Sequence, residues 1–140
     1  MRNPEVLSLD YVPIDLPHRE TEMRQLERVF SILKKGANLV APKVYVTGDV
    51  GAGKTVLAKR FGMNFEEELR EIGVKACHVY VNCRLEGTPL NVLTAMIRQL
   101  RSEQFPLRGF SIEEAVDAFI RCLAEIDVCV IAVMDELDHI

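Results

Sequence analysis

Residues 47–61 read TGDVGAGKTVLAKRF, placing three glycines, a lysine and a threonine within eight positions and then resuming a helix-forming pattern. Each glycine costs roughly 0.5–1 kcal/mol relative to alanine inside a regular element, so such a run needs a chemical reason. Gly48, Gly51, Gly53, Lys54 and Thr55 fit the spacing G-x-x-x-x-G-K-[ST]. In that pattern backbone N–H groups wrap around nucleotide phosphates, and glycine stands where a side chain would strike them. The candidate nucleotide-binding positions are Val50, Gly51, Ala52, Gly53, Lys54, Thr55 and Val56. Lys54 would neutralise charge on the β- and γ-phosphates, and the Thr55 hydroxyl would hold Mg²⁺. A helix opening near Gly53 would aim its unsatisfied N–H groups at the anion.

A second chemical pair stands near the end of the chain. Residues 128–134, VCVIAVM, are unbroken apolar sequence, as expected for a parallel strand buried on both faces, and Asp135 and Glu136 follow directly. Carboxylates at the carboxyl end of such a strand lie where open α/β sheets bind their ligands. Beside a phosphate-binding loop, an acid there holds Mg²⁺, usually through water, and a neighbouring glutamate orients and activates the attacking water. Asp135 takes the first role and Glu136 the second, so Glu136 and Lys54 are the candidate catalytic residues. An apolar strand ending in acids is common by itself; together with the loop it is strong evidence for a nucleoside-triphosphate site, of a kind that fits many NTPases.

The elements that must position these residues are also legible. Residues 43–47, KVYVT, are β-branched and aromatic behind Pro42 and predict a strand leading into the loop. Leu57, Phe61, Phe65, Leu69 and Ile72 recur at helical spacing after it, with Gly73 as a stop. Residues 19–35 predict an amphipathic helix with Met23, Leu26, Phe30 and Leu33 on one face, and residues 75–82, KACHVYVN, a second strand. Thr88 and Pro89 open a helix with the stripe Leu93, Met96, Ile97 and Leu100. Ser111 and Glu114 form a capping box for another, with Val116, Phe119, Ile120 and Leu123 facing inward. The alternation predicts an α/β fold of the P-loop NTPase kind, a parallel sheet flanked by helices.

Bulk properties narrow the function classes. The 140 residues are 49% hydrophobic and 27% charged with a net charge of −4, which suits one globular domain and supplies no global electrostatic footprint for nucleic acid. No apolar run approaches the ~20 residues that span a bilayer, and the N-terminus has no signal-peptide core, so a cytoplasmic protein without membrane partners is expected. Cys77, Cys83, Cys122 and Cys129 form no C-x-x-C pair and read as buried thiols. His18, His78 and His139 lack metal-ligand spacing.

The chain resembles the AAA+ ATPases, and among them the origin-recognition and cell-division-control type replication initiators, particularly the archaeal ones. The resemblance covers nearly all 140 residues and rests on YVPIDLPHRE at 11–20, VTGDVGAGKT at 46–55, VYVNCR at 79–84 and VMDELDHI at 133–140. It implies ATP or ADP with Mg²⁺ as cofactors, origin DNA as a partner of the full-length protein, and other AAA+ initiator subunits as possible partners. It also implies that Val12, His18 and Arg19, with Pro17 among them, lie against the adenine base. From the residues alone, Pro17 starts the first helix and His18 is solvent-exposed. The initiators carry an extra helix that touches DNA; the resemblance makes residues 88–101 the candidate for that element, with Arg98, Arg101 and Arg108 as candidate phosphate contacts, although a solvated helix face explains these arginines equally well. The family continues past DELD with two more strands, a sensor residue, an arginine finger, a helical lid and a winged-helix domain. The expectation is therefore a single partial AAA+ ATP-binding domain over 1–140, incomplete, without later strands, lid or winged helix, and lacking the strand that lies between the acidic strand and the loop strand. An ATP-binding regulatory or interaction module that does not hydrolyse is the alternative. A small-molecule kinase is disfavoured, because VMDE supplies a water-activating glutamate where a kinase needs a substrate pocket.

Overall fold

The computed structural model describes residues 19–35, 41–101 and 109–140, and the chain divides into two compact units, Met1–Asn64 and Phe65–Ile140.

In the first unit, helix α1 spans Glu20–Phe30 and tightens into a 3₁₀ turn over Ser31–Lys35. Leu26 is buried, while Met23, Phe30 and Leu33 are half-buried on the same stripe. Glu20 and Glu22 open the helix and Arg28 closes it, each sign matching the helix dipole at its end. The Phe30 ring meets that of Phe61 at a centroid distance of 5.0 Å and a tilt of 53°. Helix α2, Lys54–Glu71, begins here and continues into the second unit.

Residues 43–47 do not form the expected strand. They carry no regular secondary structure, and Tyr45 is 79% exposed. β-Branched and aromatic residues fit a pleated, half-buried surface, but a strand exists only where a neighbour completes its hydrogen bonds. Among the described residues the sheet consists of two other segments.

In the second unit α2 buries Phe65 and Leu69 completely, whereas Ile72, assigned to the same stripe, is exposed. Its end is a Schellman motif: Val74 N–H donates to the Leu69 carbonyl and Gly73 N–H to that of Arg70, with Gly73 at φ 83°. Strand β1 covers Ala76–Asn82 and strand β2 covers Cys129–Asp135. They pair in parallel, with Tyr80 opposite Val133 and Asn82 opposite Asp135. The crossover between them carries the short helix α3 (Cys83–Glu86), α4 (Pro89–Leu100) and α5 (Ile112–Ile126). α4 starts at Thr88, whose hydroxyl accepts from Asn91 N–H, and α5 at the reciprocal Ser111–Glu114 capping box.

One face of β1 packs on α4: Val79, Val81, Cys83, Val92 and Met96 form a core. A second core joins Ile97 of α4 to Ala115, Ala118 and Cys122 of α5. Of the expected α5 face, Phe119 packs against both cores and Leu123 is half-buried, but Val116 and Ile120 are exposed. The small side chains at 115, 118 and 122 take up the contact with α4, which leaves Val116 and Ile120 outward. β2 also departs from expectation, with Ile131 buried but Ala132 and Met134 exposed. The four cysteines are free thiols, Cys83 and Cys122 being buried and Cys77 and Cys129 half-buried. Among the described residues, no helix is long and apolar enough to cross a membrane, and no group of three or more His, Cys, Asp or Glu could hold a metal ion.

Candidate functional site

The glycine loop is drawn into a compact turn by Ala52 N–H donating to the Asp49 carbonyl at 3.1 Å. Gly51 and Gly53 take φ 81° and 82°, a backbone region that side chains resist, so the residue type at these two positions follows from the loop's shape. The first helical bond of α2 runs from Leu57 N–H to the Gly53 carbonyl, which leaves the N–H groups of the first turn at the loop. Lys54 folds back over its own loop, its ammonium donating to the carbonyl oxygens of Gly48 and, at 3.2 Å, Asp49. Thr55 is half-buried in the same turn, while Val50 is fully exposed at the loop's tip and Ala52 and Val56 are half-buried.

Arg19 reaches this loop from the N-cap of α1. Its Nη2 lies 3.6 Å from where a Cβ on Gly53 would sit. Glu22 holds the guanidinium by an ion pair of 3.0 Å, and that hydrogen bond, after those from its own helix backbone, keeps the Glu22 carboxyl below the ordinary range. Val12 and His18 lie outside the described residues.

The acidic pair belongs to the second unit. Asp135 closes β2 and is gripped at both carboxylate oxygens: Tyr80 OH donates to Oδ2 at 2.8 Å and Glu136 N–H to Oδ1 at 3.0 Å. Burial and then the Asp135 carboxylate push the Tyr80 phenol well above its ordinary pKa. Glu136 sits in the left-handed region at φ 51°, uncommon for a residue other than glycine, and turns the chain into a 3₁₀ turn over Leu137–His139. Its Oε1 lies 3.7 Å from Arg84 Nη1, the arginine side chain being largely solvated and that of Glu136 part-buried. Arg98 is exposed on α4, Arg101 is half-buried and paired with Glu125 of α5, and Arg108 lies outside the described residues.

The sequence signals did not reveal three partners that the structure supplies. Tyr80 and Arg84 become neighbours of Asp135 and Glu136 only through strand register. Glu66 of α2 accepts hydrogen bonds from the His78 backbone N–H and ring and pairs with Arg70. The Glu66–Arg70 spacing is readable on a helix, but nothing in the sequence points to His78.

Chemically, the loop gathers helix N–H groups and an ammonium, a combination that receives polyanions. Thr55 in the first unit and Asp135 in the second are each a hard oxygen donor, the type that Mg²⁺ accepts.

The profile of the AAA domain family matches residues 41–140. The ORC1-type DNA replication protein 2 of Saccharolobus solfataricus is 34% identical over 140 residues, covering 99% of this chain and 34% of the relative. That of Sulfurisphaera tokodaii is 32% identical over 135 residues, covering 96% and 32%. Among solved structures, the Aeropyrum pernix ORC1 protein in complex with DNA superposes with a TM-score of 0.84 at 32% identity, covering 99% of this chain and 35% of that one. The A. pernix ORC2 protein, solved as ADPNP-ADP complexes, gives 0.79 at 26% identity, covering 96% and 35%. The chain thus spans about a third of the length of the relatives it matches. It belongs to the AAA domain family and, within it, is similar over nearly its whole length to the ORC1-type DNA replication proteins.

Proposed function

We propose that this chain binds ATP as the nucleotide-binding part of a replication-initiator AAA+ ATPase that acts at replication origins. The observation that carries the reading is the loop itself: Gly51 and Gly53 in the left-handed region, a helix opening at Lys54 and the Lys54 ammonium lying over the loop. Phosphate oxygens would take over that ammonium from the Gly48 and Asp49 carbonyls, exchanging neutral acceptors for anionic ones. Gly51, Ala52 and Gly53 present backbone close to the anion, Val50 and Val56 flank it, and Arg19 brings a second cation beside Gly53. Val12 and His18 are assigned to the adenine side through the family resemblance.

Mg²⁺, when bound, neutralises charge on the β- and γ-phosphates. Thr55 would hold it through its hydroxyl and Asp135 through water. Glu136 is the group that takes a proton from the attacking water. The likeness to a protein solved with DNA supports origin DNA as a partner of the whole protein, with the exposed Arg98 on α4 as a candidate phosphate contact.

A second reading, nucleotide binding without turnover, draws on the Arg84–Glu136 pair, which occupies the carboxylate that hydrolysis would use. Calorimetric titration of the chain with ATP, with and without Mg²⁺, tests the proposal; absence of saturable binding refutes it. Phosphate release from the same samples separates the two readings.

A further inference from the structure

We infer that Tyr80 is a positioning residue for the metal-organising carboxylate, its phenol fixing the orientation in which Asp135 meets the Mg²⁺ that accompanies the nucleotide. The inference rests on the role proposed above for Asp135.

The geometry begins with register. Tyr80 stands opposite Val133 in the parallel pair and Asn82 opposite Asp135. Side chains two residues apart share a face of the sheet, so Tyr80 lies diagonally behind Asp135, a separation that an aromatic side chain can span. The 2.8 Å bond from its hydroxyl to Oδ2 shows that it does. Asp135 is the last residue of its strand, and its short side chain turns about two torsions. With Glu136 N–H on Oδ1, each oxygen has a donor and the plane of the carboxylate is set. The left-handed backbone of Glu136 accompanies that second contact and marks the turn as one held in a sparsely populated conformation.

Tyr80 is itself anchored. In a strand, the N–H and C=O of one residue point to the same side, and those of Tyr80 point away from β2. There the Gln99 side chain of α4 meets both: Tyr80 N–H donates to Gln99 Oε1 at 3.0 Å, and Gln99 Nε2 donates to the Tyr80 carbonyl at 2.7 Å. One amide thus stands in for a neighbouring strand at the residue whose phenol grips Asp135. Two positions earlier, Glu66 takes the His78 N–H on the same edge. The backbone under the tyrosine is pinned from outside the sheet, so the hydroxyl meets Asp135 at a fixed distance. Groups that hold a metal's carboxylate through hydrogen bonds tune how well the metal is received.

The test uses the 140-residue chain, a fluorescent non-hydrolysable ATP analogue and Mg²⁺. Analogue affinity is measured in EDTA and across a Mg²⁺ series for wild type, Tyr80→Phe and Asp135→Asn, with a thermal melt of each. Tyr80→Phe should raise the Mg²⁺ concentration at half-effect by roughly tenfold, leaving affinity in EDTA and the melting temperature close to wild type. A Tyr80→Phe midpoint equal to wild type, with Asp135→Asn shifted, overturns the inference and spares the role of Asp135. Equal losses with and without Mg²⁺ also overturn it, because they show a structural effect. If neither variant moves the midpoint, Asp135 itself is misassigned and the inference falls with it.

Discussion

Lys54→Ala separates a binding role from a structural one, because the structure gives the lysine little to do for stability. Its ammonium donates to the Gly48 and Asp49 carbonyls, and both residues are exposed, so water replaces the lost donor. Alanine at the first position of α2 also favours the helix slightly. The melting temperature should therefore stay within a few degrees of wild type. Binding is another matter, since a hydrogen bond to a charged group contributes about 1.5–3 kcal/mol, and each 1.4 kcal/mol is tenfold in affinity. The expected loss is about ten- to a hundredfold in ATP affinity. Calorimetry in the presence of Mg²⁺ reads the affinity and a thermal scan of the same preparation reads the fold. Unchanged affinity would remove Lys54 from the site; a fall in affinity matched by a collapse of the melt would show that the residue serves the loop's structure instead.

Further tests address the frame around the loop and the acidic pair. Gly51→Ala places a Cβ in open space at φ 81°, so the cost is backbone strain alone, about 1–2 kcal/mol, read as a lower urea midpoint with an unchanged slope. Gln99→Ala removes both hydrogen bonds from the Tyr80 backbone and should destabilise by about 1 kcal/mol, the edge groups turning to water; no change would mean that the amide is not a structural clamp. Burial pushes the Glu66 carboxyl up, but the His78 ring and backbone N–H, together with Arg70, outweigh it and hold it below the ordinary range. A carboxyl depressed by folding contributes stability that is present above its unfolded pKa and lost as pH falls through its folded value. Glu66→Gln should therefore melt lower than wild type near neutral pH, with the gap closing below about pH 4; a gap that persists in acid would contradict the assignment.

The local chemistry of this chain is written in short-range patterns, and these the structure returns closely. The α2 stop at Gly73, the Thr88 cap and the Ser111–Glu114 box involve residues within a few positions of one another, so spacing alone specifies them. The glycine loop, with Lys54 at its rim, is local in the same sense. Elements that need a partner are different. Residues 43–47 have strand-like side chains yet form no strand, because hydrogen-bond pairing is a property of two segments and not of one. On α5, Phe119 packs inward as its periodicity predicts, whereas the contact with α4 also takes the small Ala115, Ala118 and Cys122 and leaves Val116 and Ile120 exposed. Tyr80 was invisible as a site residue for the same reason. Its tie to Asp135 crosses 55 positions of sequence and exists only because β1 and β2 pair in one register. The sequence by itself determined the residues proposed to meet a phosphate and those proposed to organise a cation. Only the tertiary structure decided what holds those residues still, because a hydrogen bond between distant positions depends on the path of the chain between them.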